Sequence, residues 1–194
     1  MERPALLHGT ALCGICRRGA WGFEQARSFG WYEGALREIV RQYKYQRMQP
    51  LAKPLGKFLA DALERLNAGS LDLVLPVPLH RRRERQRGFN QAGLLAERVG
   101  KLCDIRRGGK DCVRVRDTPP QTGLRGAARR RNVKGAFAVP HPERIHGLRI
   151  LLVDDVLTTG ATADACARAL KQAGAQGVWV LTLARARAAS LDGL

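Results

Sequence analysis

Apolar residues recur along the first half of the chain at helical spacing and then in a continuous run. Between positions 36 and 43 they fall at i, i+3, i+4 and i+7, which predicts a helix with Lys44 near its end. Residues 55–66 have the same spacing and predict a second helix. Residues 71–78, LDLVLPVP, read as the first central strand, and the two prolines mark its end.

The second half of the chain repeats this alternation of helices and strands. Residues 95–102 predict a helix that Asn90 can cap. Residues 112–116, CVRVR, predict a short half-buried strand, and residues 178–184, VWVLTLA, a closing strand. Alternating β and α elements imply an α/β fold, a doubly wound parallel sheet with helices on both faces.

Residues 147–173 carry the strongest chemical pattern. An apolar strand over residues 148–153 ends at Asp154 and Asp155, and a turn and a helix follow. Open α/β sheets bind ligands beyond the carboxyl ends of their strands. The carboxylates can accept hydrogen bonds from ribose hydroxyls, and the turn with the start of the helix can bind a phosphate. This turn consists of Thr158, Thr159, Gly160, Ala161 and Thr162.

Three other readings of the paired aspartates remain open at this point. The pattern also occurs at the metal-binding strand of P-loop NTPases, but no G-x-x-x-x-G-K-[ST] motif is present in the chain. A flavodoxin-like metal pocket and a solvated turn before a Thr-capped helix are the other two.

Basic residues are in excess and unevenly distributed. The chain has 34 Lys and Arg against 17 Asp and Glu, a net charge of +17. Residues 80–134 hold 17 basic and five acidic residues, an excess of 12. Such a surface favours anionic partners, pyrophosphate or nucleic acid, although a solvated arginine loop is the alternative. The candidate nucleic-acid contacts are Arg82, Arg83, Arg85, Arg87, Arg129, Arg130 and Arg131.

Several segments together resemble a known family. VDDVLTTGAT at residues 153–162 resembles the phosphoribosyl pyrophosphate (PRPP) signature of type I phosphoribosyltransferases. Further segments resemble the ComF (ComFC) family, which is associated with natural competence for DNA uptake. They are KYQ from Lys44, PVPLHRRRERQRGFNQAGLLA at 76–96, DTPPQTGL at 117–124, RRRNVKGAF at 129–137 and LTLAR at 181–185.

The resemblance implies a role for each matching residue. Asp154 and Asp155 would be catalytic, residues 158–162 would bind the 5′-phosphate of PRPP, and Mg²⁺ would be the cofactor. The pyrophosphate would lie at Pro78, Leu79, His80 and Arg81. A flexible loop would make contacts through Arg116, Gln121 and Asn132, with a disordered connection over residues 117–135 as the alternative.

The function expected from this resemblance is DNA uptake by a protein that binds PRPP or ribose 5-phosphate. Single-stranded DNA on the basic surface and proteins of the uptake machinery are the expected macromolecular partners. The alternative is an active phosphoribosyltransferase that transfers the phosphoribosyl group to a nucleobase or another small acceptor.

Cysteine spacing bears on the N-terminal segment. Five cysteines, an odd number, argue against a disulfide framework. Cys13 and Cys16 form one C-x-x-C pair, His8 is a possible third ligand, and a structural zinc site needs four. The resemblance implies a four-cysteine zinc ribbon here, so residues 1–28 are expected to be a degenerate or truncated ribbon and residues 29–194 the phosphoribosyltransferase-like domain. A redox C-x-x-C is the other reading.

No stretch of the sequence has the roughly 18 apolar residues of a membrane helix. The first ten residues also lack the basic and apolar regions of a secretory signal. We therefore expect a cytoplasmic protein without membrane insertion.

Overall fold

A parallel sheet forms the centre of the molecule. The computed structural model describes residues 21–45, 48–118 and 131–187, without the side chain of Tyr45. The strands are β1 (Gln25–Trp31), β2 (Leu73–Pro76), β3 (Val113–Arg114), β4 (Phe137–Ala138), β5 (Arg149–Leu157) and β6 (Gly177–Arg185). Four of them form one parallel sheet in the order β1-β6-β5-β2, and β3 pairs with β4 in an antiparallel hairpin.

Helices cover both faces of this sheet, which confirms the predicted fold class. They are α1 (Gly34–Tyr45), α2 (Ala52–Leu63), α3 (Arg81–Arg87), α4 (Gln91–Cys103) and α5 (Ala161–Gln172). Apolar residues of α1, α2 and α4 share one buried cluster, and those of α5 and the β3-β4 hairpin share the other. The helices predicted at residues 36–43, 55–66 and 95–102 are therefore confirmed.

The strand β5 divides its side chains between the two clusters. Leu151 and Val153 lie in the cluster of α1, α2 and α4, whereas Ile150 and Leu152 lie in the cluster of α5. All four are completely buried, as expected of a central strand between two helical layers. Because successive strand residues point to opposite faces, the two aspartates that follow Val153 also point to opposite faces.

Two elements differ from the sequence-based expectation. No helix was predicted for the arginine run, for which a solvated loop was one alternative, but it forms α3, with His80 at its N-cap and Gly88 in the left-handed conformation at its C-cap. The strand β1 has no counterpart in the sequence analysis. It begins at Gln25, so the folded unit extends across the expected domain boundary between residues 28 and 29.

The strand β2 ends beside Val153 of β5, and β5 continues from there to Leu157 at the carboxyl edge of the sheet. Pro76 is the register partner of Val153, and the N–H of Val77 donates to the carbonyl of Val153 at 2.8 Å. The segment that leads from β2 into α3 therefore leaves the sheet beside Asp154. Within the described ranges, no helix has the length and apolar character needed to span a bilayer.

Candidate functional site

The paired aspartates lie at the carboxyl end of β5, as predicted, but they have different partners. Asp155 points toward α1, where its Oδ1 is 2.9 Å from Nζ of Lys44. Asp154 points toward the other face and interacts electrostatically with Arg114. The two carboxylates therefore do not act as an equivalent pair.

The Lys44–Asp155 ion pair is largely buried. The side chains are 19% and 11% exposed. Burial disfavours the charge on Lys44, but Asp155 outweighs this effect through its charge and hydrogen bond, so the pKa of Lys44 is raised. Burial and the charge of Asp155 also raise the pKa of Tyr43, which keeps that phenol protonated. Lys44 thus stays protonated and forms an ion pair with Asp155.

Gln91 fixes the end of α1 that carries Lys44. Its side-chain Nε2 donates to the carbonyl of Lys44 at 3.3 Å, and its own carbonyl accepts the hydroxyl of Tyr43 at 2.9 Å. Arg87 Nη1 donates to Gln91 Oε1 at 3.2 Å. The buried Gln91 thereby links the basic helix α3 to α1, whose Lys44 pairs with Asp155.

Asp154 is the aspartate with partial solvent access. Its Oδ1 accepts the backbone N–H of Asp155 at 2.8 Å. Burial, followed by the charge of Asp155, raises the pKa of Asp154 to about 7. Near neutral pH this carboxyl therefore changes between a protonated form and an ionised form that accepts hydrogen bonds only.

The threonine turn after β5 leads directly into α5. Gly160 has a φ of 78°, a left-handed conformation that glycine adopts at little cost, and Ala161 begins the helix. Thr159 Oγ1 accepts the N–H of Ala161 at 3.4 Å. Thr158, Thr159 and Thr162 are partly exposed, so hydroxyls and a helix N-terminus lie together directly after β5.

Trp21 packs on one side of this turn. A Cβ added to Gly160 would lie 3.1 Å from Cη2 of Trp21, which stacks on Phe23 with ring centroids 5.4 Å apart. The N–H of Gly22 donates to Oδ1 of Asp164 at 2.6 Å, and Arg168 also binds this carboxylate. The acidic residue in the first turn of α5 therefore has partners within the protein.

The arginines of α3 divide into exposed and half-buried residues. Arg81, Arg82 and Arg85 are exposed, and Arg83 and Arg87 are half-buried. Pro78 is buried, whereas Leu79 and His80 are half-buried at the start of the helix. Arg81, Arg82 and Arg85 are therefore the arginines of α3 that are most accessible to an anionic ligand.

The residues of the predicted flexible loop lie at its flanks or outside the described residues. Arg116 is exposed, and its Nη1 donates to the carbonyl of Lys134 at 2.6 Å. Asn132 is half-buried in a helical turn at residues 131–133, and Arg131 beside it is exposed. Predictions that lie outside the described residues are those for His8, Cys13, Cys16, Gln121, Arg129 and Arg130.

Comparison with known proteins identifies the family. Residues 85–192 match the family described as "Phosphoribosyl transferase domain". The chain is 31% identical to "Competence protein F" of Haemophilus influenzae over 90% of its own length and 78% of that protein. The chain belongs to the ComF competence family. It is also 32% identical to "DNA utilization protein YhgH" of Escherichia coli K12, over 92% of this chain and 79% of that protein. It is 27% identical to "Competence protein ComFC" of Bacillus subtilis, over 94% of this chain and 75% of that protein.

A solved structure supports the fold. The chain superimposes on the structure titled "Structure of the allosteric regulatory enzyme of purine biosynthesis" with a TM-score of 0.50 and 21% identity. The match covers 74% of this ComF-family chain and 30% of that protein's chain. At this identity the likeness establishes the fold only.

Sequence reasoning gave no role to three residues of this candidate site in the ComF-family chain: Lys44, Arg114 and Asp117. Lys44 was placed at a helix end without a role. Arg114 is buried on β3 and Asp117 contacts His80, and neither was a candidate. A signal existed for Arg114, because an arginine that alternates with valines in a short strand must point to one face of it.

Proposed function

We propose that the protein acts in DNA uptake or utilisation and binds PRPP or ribose 5-phosphate at the carboxyl edge of its sheet. The observation that carries the proposal is the position of Asp154 near the end of β5, the strand that leads directly into the threonine turn and the start of α5. Its ionised carboxylate would accept hydrogen bonds from the ribose hydroxyls, and the turn would bind the 5′-phosphate. The names of the relatives support the uptake role.

Asp155 would contribute to ribose binding through its charge and through the shape of the site. Its pairing with Lys44 leaves one net negative charge from the two aspartates when Asp154 is ionised. An ionised Asp154 would stabilise positive charge on the sugar carbon, since opposite charges attract strongly in a partly desolvated site. The proposed binding chemistry therefore depends mainly on Asp154.

The residues present fit Mg²⁺ that is held mainly by its ligand. Within the described ranges, no group of three or more His, Cys, Asp and Glu side chains is placed to hold a metal. Mg²⁺ usually binds through one or two carboxylates together with substrate phosphates and waters, and Asp154 offers one such carboxylate. Bound there with PRPP, Mg²⁺ would neutralise charge on the pyrophosphate.

The binding proposal is tested by calorimetry of PRPP and ribose 5-phosphate with Mg²⁺. We expect Asp154→Asn to lower the affinity for both ligands about tenfold or more at pH 8, because the amide lacks the charge of the carboxylate. As the pH falls below about 7, Asp154 becomes protonated, so the difference between the wild-type protein and the variant should shrink.

The matched control for this experiment is Asp61→Asn, which removes the same charge from an exposed position on α2. This control should bind both ligands like the wild-type protein at every pH. Equal affinities for Asp154→Asn and Asp61→Asn would contradict the proposed site.

Phosphoribosyl transfer is the second candidate function, favoured by the match to the phosphoribosyl transferase domain. In that reaction the bond from the sugar carbon to pyrophosphate breaks, and a bond to the acceptor forms. Release of pyrophosphate from PRPP that requires a particular nucleobase or small acceptor would support it. A binding protein would release none above the background hydrolysis with any acceptor.

A further inference from the structure

The Asp117 carboxylate lies between two basic groups at the start of α3. Its Oδ1 is 3.4 Å from Nδ1 of His80, and its Oδ2 is 3.5 Å from Nη1 of Arg82. Both distances exceed the roughly 2.7–2.9 Å of strong charge-assisted hydrogen bonds. The carboxylate is also one-third exposed, so another anion can replace it at low cost.

Thr118 extends this contact toward Asp154. Its carbonyl accepts Nη2 of Arg83 at 2.6 Å, and its hydroxyl contacts Nη2 of Arg114. Since both guanidinium groups bond to Thr118, the two cations are close, and burial followed by the charge of Arg83 lowers the pKa of Arg114. Within the described part of the chain, the buried Nε of Arg114 has no hydrogen-bond partner.

Positive charge exceeds negative charge in this cluster of His80, Arg82, Arg83, Arg114 and Asp117. His80 and Arg82 contact the carboxylate of Asp117, while the guanidinium groups of Arg83 and Arg114 contact the neighbouring Thr118. The charge of Asp154 also acts on Arg114, so the cluster adjoins the proposed ribose site. An anion with more charge than one carboxylate would neutralise the cluster better.

We propose that Asp117 is a specificity-determining residue that occupies the place of a phosphate group of a diphosphate ligand. This inference rests on the proposed PRPP site. A ligand that binds His80 and Arg82 must displace Asp117. A diphosphate has enough charge to do so, whereas a nucleic-acid phosphodiester carries one negative charge and gains little by the exchange. Asp117 therefore selects diphosphates over phosphodiesters at the start of α3.

The test measures the affinities of inorganic pyrophosphate, PRPP and ribose 5-phosphate for the full chain with Mg²⁺. Asp117→Asn should raise the affinities for pyrophosphate and PRPP about three- to tenfold, because the carboxylate that competes with the ligand is gone. Ribose 5-phosphate has no diphosphate, so its affinity should stay within about twofold. Asp117→Glu retains the charge and should restore affinities near those of the wild-type protein.

A matched control is Glu143→Gln. Glu143 makes a similar contact, 3.3 Å from Nδ1 of His141, in a turn that precedes the amino end of β5. The control removes the same charge far from the site along β5 and should leave all three affinities unchanged.

Weaker binding of pyrophosphate by Asp117→Asn would overturn the inference, and so would equal tightening of all three ligands. If pyrophosphate binds neither protein while ribose 5-phosphate binds both, the role of Asp117 is wrong and the sugar phosphate site stands. If none of the three ligands binds the wild-type protein, the proposed function is overturned as well. Thermal unfolding of each variant verifies that it is folded. If Asp117→Asn does not fold, Asp117→Ser removes the same charge and is expected to give the same result.

Discussion

At the scale of single residues, the ion pair between Lys44 and Asp155 makes the clearest prediction for stability. Lys44→Met should lower the free energy of unfolding by on the order of 3 kcal/mol, because it leaves a largely buried carboxylate unpaired. Asp155→Asn should also destabilise the protein. The double variant should lose less than the sum of the two, as measured by urea unfolding.

Lys101→Met is the matched control for this prediction. Lys101 pairs with Glu97 at the same N–O distance, 2.9 Å, but its side chain is 66% exposed. Its replacement should cost less than about 1 kcal/mol, because solvent screens exposed ion pairs. Equal costs for Lys44→Met and Lys101→Met would contradict the buried pair.

Sequence reasoning located the candidate site residues better than it located their partners. The end of an apolar strand predicted the position of Asp154 and Asp155, because strand, turn and helix are consecutive in the chain. Lys44 lies 111 positions before Asp155, and no local pattern indicates that contact. In CVRVR, Arg114 is buried and Val115 is exposed, and the contacts of Arg114 with Phe137 and Thr118 are ones that spacing alone does not show.

At the scale of elements, α3 makes the prediction for DNA. Arg81 and Arg85 are exposed on it and have no part in the Asp117 cluster, and neutralising both with glutamine should weaken single-stranded DNA binding. If each contacts one phosphate, the slope of log affinity against log salt should fall in magnitude by about 1.4. Binding at several salt concentrations measures this slope.

A matched double variant replaces Lys53 and Lys57 with glutamine. Both residues are exposed on α2, so the change in net charge is the same. An equal fall in slope for both double variants would show that binding depends on net charge and not on α3.

The two elements that the sequence analysis did not predict have physical explanations. The arginine run of α3 has no apolar periodicity, and the helix depends instead on arginine's good helix propensity and on its ends at His80 and Gly88. The strand β1, QARSFGW, forms through pairing with β6, and the hydroxyls of Ser28 and Thr182 lie 2.6 Å apart between them. Long-range pairing of this kind leaves little local signal.

At the scale of the whole molecule, two candidate surfaces meet at the carboxyl edge of one sheet. The predicted alternation of strands and helices was sufficient for this fold, because parallel strands place their carboxyl ends together. The register of β2 against β5 brings the basic helix next to Asp154. Gln91 connects α3 to the end of α1, so the proposed DNA surface and the proposed sugar phosphate site share a buried side chain.

The most direct test of the sugar phosphate site is a crystal structure with ribose 5-phosphate and Mg²⁺. The account predicts the phosphate within hydrogen-bond distance of residues 158–162 and the ribose hydroxyls on the Asp154 carboxylate. Lys44 should remain on Asp155, as in the present structure, where the N–O distance is 2.9 Å. A sugar phosphate bound elsewhere, or one whose hydroxyls do not reach Asp154, would contradict it.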